Sequence, residues 1–87
     1  MAEYKILLKS SAAKEIEGAA SKEDRRRIVG KIAGLAVNPR RQKTEKLAGY
    51  DNGYRIRQGR YRIVYLIDDS HREVIIFKVG QRKDVYR

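Results

Sequence analysis

Arginine recurs at every second position of Tyr54-Arg55-Ile56-Arg57, and again in Arg60-Tyr61-Arg62 beyond Gln58-Gly59. On a strand, Tyr54 and Ile56 take one face while Arg55 and Arg57 take the other. If Gln58-Gly59 is a two-residue turn, the halves form a hairpin in which Arg57 pairs with Arg60 and Arg55 with Arg62. Any loop of even length keeps these arginines on one face, whereas a three-residue loop scatters them. Like charges directly across a sheet destabilise it by roughly 0.2–1 kcal/mol per pair, so a chain that collects several has a use for them on an anion. The guanidinium presents a planar fork of donors that matches phosphate and also stacks on aromatic rings. For any one arginine, a solvated face of a basic protein is an equally good reading; for the group, phosphate binding is favoured.

Cutting RNA by internal attack requires three things: activation of a ribose 2′-hydroxyl, stabilisation of charge on the phosphorus oxygens, and protonation of the leaving 5′-oxygen. His71 is the single histidine and there are no cysteines, so a two-histidine mechanism and a thiolate-held metal are both excluded. The carboxylates Asp68, Asp69, Glu73 and Asp84 share no metal-ligand spacing. What remains is a cluster of guanidiniums with a tyrosine, which can act electrostatically on a dianionic phosphorane in a partly dry site, with no cofactor. Tyr86 follows Arg82 and Lys83 closely in the chain. A phenol among such cations titrates below its usual value of about 10, which makes it a candidate base. The alternative reading is a terminal aromatic that packs on the sheet.

The composition agrees with a polyanionic partner. Lys and Arg number 21 against 11 Asp and Glu, a formal charge of +10 on 87 residues, and such an excess attracts nucleic acid or an acidic protein. The length fits one domain, residues 1–87, with a modest core. No apolar run approaches the roughly 18 residues that span a bilayer, and the N-terminus lacks the apolar stretch of a signal peptide, so the expected location is the cytoplasm.

The elements that must carry the arginines follow in order. Tyr4, Ile6 and Leu8 alternate with Lys5 and Lys9 as a first strand with one buried face. Ser10 or Ser11 then caps a helix with an apolar stripe of Ala12, Ala13, Ile16, Ala19 and Ala20. Ser21 with Asp24 resembles a capping box, and it opens a second helix whose apolar positions are Ile28, Val29, Ile32, Leu35 and Ala36, stopped by Asn38-Pro39. The run Arg25-Arg26-Arg27 splays around that helix and reads as a nucleic-acid patch or, more commonly, a solvated face. Residues 40–46 read as a polar loop in which Lys43 and Lys46 could guide RNA, and Leu47 pins its end before the turn Asp51-Asn52-Gly53. After the arginine hairpin, the turn Asp68-Asp69-Ser70-His71 leads to a strand from Glu73 to Val79. Its core Val74-Ile75-Ile76-Phe77 is apolar on both parities, as suits a central strand. The predicted fold is α+β: an N-terminal strand, a helical hairpin and a three-stranded antiparallel meander, giving a four-stranded sheet with both helices on one face.

Tyr-Arg-Ile-Arg, Gly-Arg-Tyr-Arg-Ile-Val-Tyr and Val-Gly-Gln-Arg-Lys-Asp-Val-Tyr-Arg resemble, in order and spacing, the bacterial RelE toxins of the RelE/ParE superfamily. The resemblance covers essentially the whole chain. It implies a RelE-like, microbial-RNase-like fold and a toxin of a type II toxin-antitoxin system that cleaves messenger RNA in the ribosomal A site without metal, leaving a 2′,3′-cyclic phosphate. By that resemblance Arg55 and Arg57, which stand at positions that are lysines in the best-studied member, bind and polarise the phosphate. Arg62 and Arg82 stabilise the transition state, Arg82 also by way of the leaving group, and Tyr86 takes the 2′-proton. Arg60, Lys43, Lys46 and Lys83 would contact RNA. A guanidinium at 55 and 57 does not give up a proton, so those two positions serve as clamps. Gln81 stands where many relatives have histidine, and the C-terminal helix of some relatives is expected to be absent beyond Arg87. The implied partners are ribosome, messenger RNA and a RelB-like antitoxin, acidic where it wraps the toxin, in a complex that can be heterotetrameric. A ParE-like toxin acting on DNA gyrase, or a plain basic RNA-binding module, are the alternatives; joint possession of Arg62, Arg82 and Tyr86 argues against the gyrase branch.

Overall fold

The computed structural model describes residues 3–41 and 44–81. Strand β1 (Lys5–Leu8) is followed by helices α1 (Ser10–Glu17) and α2 (Lys22–Leu35), then by strands β2 (Thr44–Lys46), β3 (Gly53–Gln58), β4 (Tyr61–Asp68) and β5 (Glu73–Gln81). The strands form one sheet in the order β1-β5-β4-β3-β2, parallel between β1 and β5 and antiparallel elsewhere. The α+β class and the helical hairpin on one face stand as predicted. The sheet has five strands, because Thr44–Lys46, expected as loop, pairs with the outer edge of β3.

Alternation sets the two faces. Tyr61, Ile63, Tyr65 and Ile67 of β4 point to the helices and meet Ile56 of β3, Val74, Ile76 and Val79 of β5, and Ala12, Ile16, Ile28, Ile32 and Leu35 of the helices. The spare residue of a bulge at Val64/Tyr65 keeps β5 in phase, with Val64 opposite Lys78 and Tyr65 opposite Ile76. Two positions expected in the core lie outside it, Leu8 at 48% exposed and Val29 at 53%, and Val37 and Tyr50 are exposed as well. Leu8 ends the first strand, and Val29 sits on the side of α2 that turns from the sheet.

The helix caps divide between expectation and correction. Ser21 caps α2, its Oγ accepting from the Asp24 amide at 3.0 Å. At α1 the N-cap is Lys9, with no side-chain cap; Ser11 Oγ instead donates to the Phe77 carbonyl at 3.4 Å. Because β1 stops opposite Ile76, the rest of the β5 edge would face water, and α1 covers it. Lys9 donates its amide to Ile76, and the Glu15 carboxylate accepts from the Val79 amide at 2.8 Å and from Lys78 Nζ at 3.3 Å.

A polar knot fixes the approach to β2. Arg40 grips Asp69 with both terminal nitrogens, at 3.1 and 2.8 Å, and its Nε donates to the Tyr54 hydroxyl at 3.2 Å. Tyr4 donates to the same carboxylate at 2.6 Å. Beneath them Tyr54 stacks on Tyr65, ring centroids 6.0 Å apart, and the buried Tyr65 hydroxyl donates to the Pro39 carbonyl at 2.7 Å. Burial holds the Tyr65 phenol above its usual pKa, so it remains a donor. The chain between α2 and β2 is thereby tied down at Pro39 and at Arg40.

Candidate phosphate-binding face

The face of the sheet opposite the helices carries the arginines. The register of β3 against β4 sets Arg57 directly across from Arg62 and Arg55 across from Val64. The sequence had suggested Arg57 with Arg60 and Arg55 with Arg62, a register two residues away. Gly59 explains the shift, since its φ of +59° places it first inside the turn, with Arg60 second, while Gln58 pairs with Tyr61. A glycine at positive φ in the first central position is what a two-residue hairpin loop of the II′ kind requires. The loop is still even, so Arg55, Arg57 and Arg62 share the face. Arg60 occupies the exposed turn at its margin.

On β5, Gly80 lies opposite Arg62 and Lys78 opposite Val64. Two rows therefore cross the sheet, Glu45-Arg55-Val64-Lys78 and Arg57-Arg62-Gly80. Arg62 is central, 4% exposed, between a strand that brings a second guanidinium and one that brings no side chain. A charge held this deep is screened less by water and salt than one at the rim.

Glu45 is the residue that sequence reasoning missed. Its carboxylate meets Arg55 Nε at 3.1 Å, across the short β2–β3 ladder. Three residues of strand are too short for a period to reveal, and only the ladder shows that Glu45 belongs to this face. An acceptor beside the cations can hold a guanidinium in place or take a proton from a bound hydroxyl. Lys46 pairs with Tyr54 and so has the parity of the helix side; it is exposed and does not join the arginines. Lys43, Arg82, Lys83 and Tyr86 lie outside the described residues. His71 is exposed in the β4–β5 turn, as its position in the sequence suggested.

A small α+β domain whose sheet face away from the helices gathers guanidiniums around a buried arginine is a frame for holding an anion. A family model for the ParE toxin of type II toxin-antitoxin systems matches residues 6–86, and the chain belongs to that family, within the RelE/ParE superfamily of toxins. Toxin RelG of Mycobacterium tuberculosis is 52% identical over 31 residues, a stretch that covers 36% of this chain and 36% of that toxin. Among solved structures, a mutant E. coli toxin RelE in the free state superposes with a TM-score of 0.80 at 26% identity, over 97% of this chain and 90% of that one. The toxin of the archaeal RelE-RelB complex from Pyrococcus horikoshii gives a TM-score of 0.80 at 26% identity, over 94% and 97% of the two chains.

Proposed function

We propose that this toxin is an endoribonuclease that cuts messenger RNA on the ribosome by internal attack. The observation that carries the reading is the pairing of Arg57 with the buried Arg62 on a face shared with Arg55 and Glu45. In the reaction, the 2′-oxygen forms a bond to the adjacent phosphorus and the bond to the 5′-oxygen breaks. The 2′-proton passes to a base and a proton is delivered to the leaving oxygen, giving a 2′,3′-cyclic phosphate and a 5′-hydroxyl. Arg62 and Arg57 neutralise the phosphorane as its second negative charge develops, and fixed donors of this kind contribute on the order of 10²–10³ in rate each. Arg55, steadied by Glu45, orients the phosphate. Tyr86 is the proposed base and Arg82 the second transition-state cation, both on the strength of the sequence resemblance; Arg60 and Lys83 extend the RNA contact.

The charge of +10 fits an acidic antitoxin, as does the RelE-RelB pairing of the Pyrococcus horikoshii complex. The site of action would be the cytoplasm, where ribosomes are. Among the described residues no helix is long and apolar enough to cross a membrane.

The match to the ParE family model supports a second reading, a toxin that acts on DNA gyrase and cuts no RNA. Purified toxin added to a translating extract, with message ends mapped, separates the two. New ends lost in Arg62→Ala support the nuclease. Intact message with gyrase-dependent DNA breaks supports the other branch, and cleavage unaffected by Arg62→Ala removes this face from the chemistry.

A further inference from the structure

Around the edge of β3 from the arginine face lies an open groove of about 1000 Å³ between the second half of α2 and the end of β3. Ile56 forms its apolar floor, Asn38 and Gln58 contribute amides, and Lys31 and Arg41 line it with cations. Arg57 lines it too, and so belongs to both surfaces. Among the described residues the one acid in the lining is Glu45, which Arg55 already engages.

Arg41 lies against α2: a Cβ added at Gly34 would come within 2.8 Å of its Nη1, the far end of a flexible, exposed side chain.

We propose that this groove is a nucleotide subsite, holding the RNA nucleotide next to the one whose phosphate sits on the arginine face. Its phosphate lies on Lys31 and Arg41, and its base lies over the Ile56 position of β3 within reach of the Gln58 amide and of Asn38 Nδ2, the Asn38 Oδ1 already accepting from the Arg40 amide at 3.2 Å. Amide side chains pair with base edges as both donor and acceptor, and guanidinium and ammonium groups bind phosphate. Arg57 then sits where the backbone passes from one site to the next. An acidic protein segment would find the same cations, and its backbone could pair with the amides as well; what favours RNA is that Arg57 lines both surfaces and so joins the groove to the phosphate face. The inference rests on reading the arginine face as a phosphate site, and it adds a cause for sequence preference at the neighbouring position.

The test uses the full chain and an RNA trinucleotide methylated at each 2′-oxygen, which binds without being cut. Backbone amides of Lys31, Asn38 and Gln58 should shift in NMR spectra as it is added. Lys31→Gln/Arg41→Gln should weaken binding on the order of tenfold and lower the log–log salt slope by roughly 1.4, the value for two single-strand phosphate contacts. Lys9→Gln/Lys14→Gln removes the same charge from the α1 side and should stay within about twofold of wild type. Shifts confined to β3 and β4, or equal losses in the two double variants, overturn the subsite. So does a tighter response of the same groove amides to an acidic peptide such as oligoglutamate. If the trinucleotide fills the groove while ribosomal message stays intact, the subsite stands and the nuclease reading fails. Cleavage with unchanged position preference in Lys31→Gln/Arg41→Gln gives the reverse.

Discussion

Replacing Arg57 by glutamine should make this toxin more stable and less active. Arg57 faces Arg62 directly across β3 and β4, and Arg57 has no partner among the ion pairs of the described residues. A like-charge cross-strand pair opposes folding by roughly 0.2–1 kcal/mol. In a domain of this size 1 kcal/mol moves the melting temperature by about 4–8 °C, so Arg57→Gln should raise it by roughly 1–8 °C. The gain should shrink from 0.1 to 1 M salt, as the screening length falls from about 10 to 3 Å, though incompletely because Arg62 is buried. If the proposed nuclease reading holds, loss of this donor should slow message cleavage on the order of 10²-fold. Thermal unfolding at several salt concentrations and a timed cleavage assay measure both effects. A variant that melts lower than its parent, or cuts as fast, refutes the view that stability is given up here to hold a phosphate.

Tyr65→Phe removes the donor to the Pro39 carbonyl and should destabilise by about 1–3 kcal/mol in urea unfolding, with the Tyr54 stack retained. Ile63→Ala opens a cavity under the arginine hairpin and should lower stability by about 2–5 kcal/mol, read as a lower urea midpoint at an unchanged slope. Asp68 accepts from Ser70, from His71 Nδ1 and from the His71 amide, and these bonds hold its carboxyl down to about 2. A depressed carboxyl stabilises the fold above its unfolded value near 3.8 and stops doing so as pH falls through about 2. Asp68→Asn should therefore be less stable than wild type at neutral pH, with the gap closing in unfolding curves taken at successively lower pH below 4. A gap independent of pH would show that the carboxylate charge is not what the turn uses.

Much of the arginine face was legible from the residue order. The period of two puts Arg55 and Arg57 opposite Ile56 whatever the register, and an even loop carries Arg62 to the same side. Ser21 announced α2, and the double apolar parity of Val74-Ile75-Ile76-Phe77 announced a central strand, because caps and burial patterns are local. The partners were not local. Gly59 could stand second in its turn or first; the backbone's positive φ chose the latter and brought Arg57, not Arg55, across from Arg62. Glu45 joined Arg55 through a three-residue edge strand that has no period of its own, held by the Arg40–Asp69 knot and the Tyr65 bond to Pro39. Val29 looked like core and lies in solvent, since helical spacing marks an apolar stripe without its edges. The sequence by itself determined which side chains share a face, a consequence of strand geometry. Only the tertiary structure decided which of them meet, how deeply Arg62 is buried, and that an acid stands among the cations, because those depend on contacts between segments far apart in the chain.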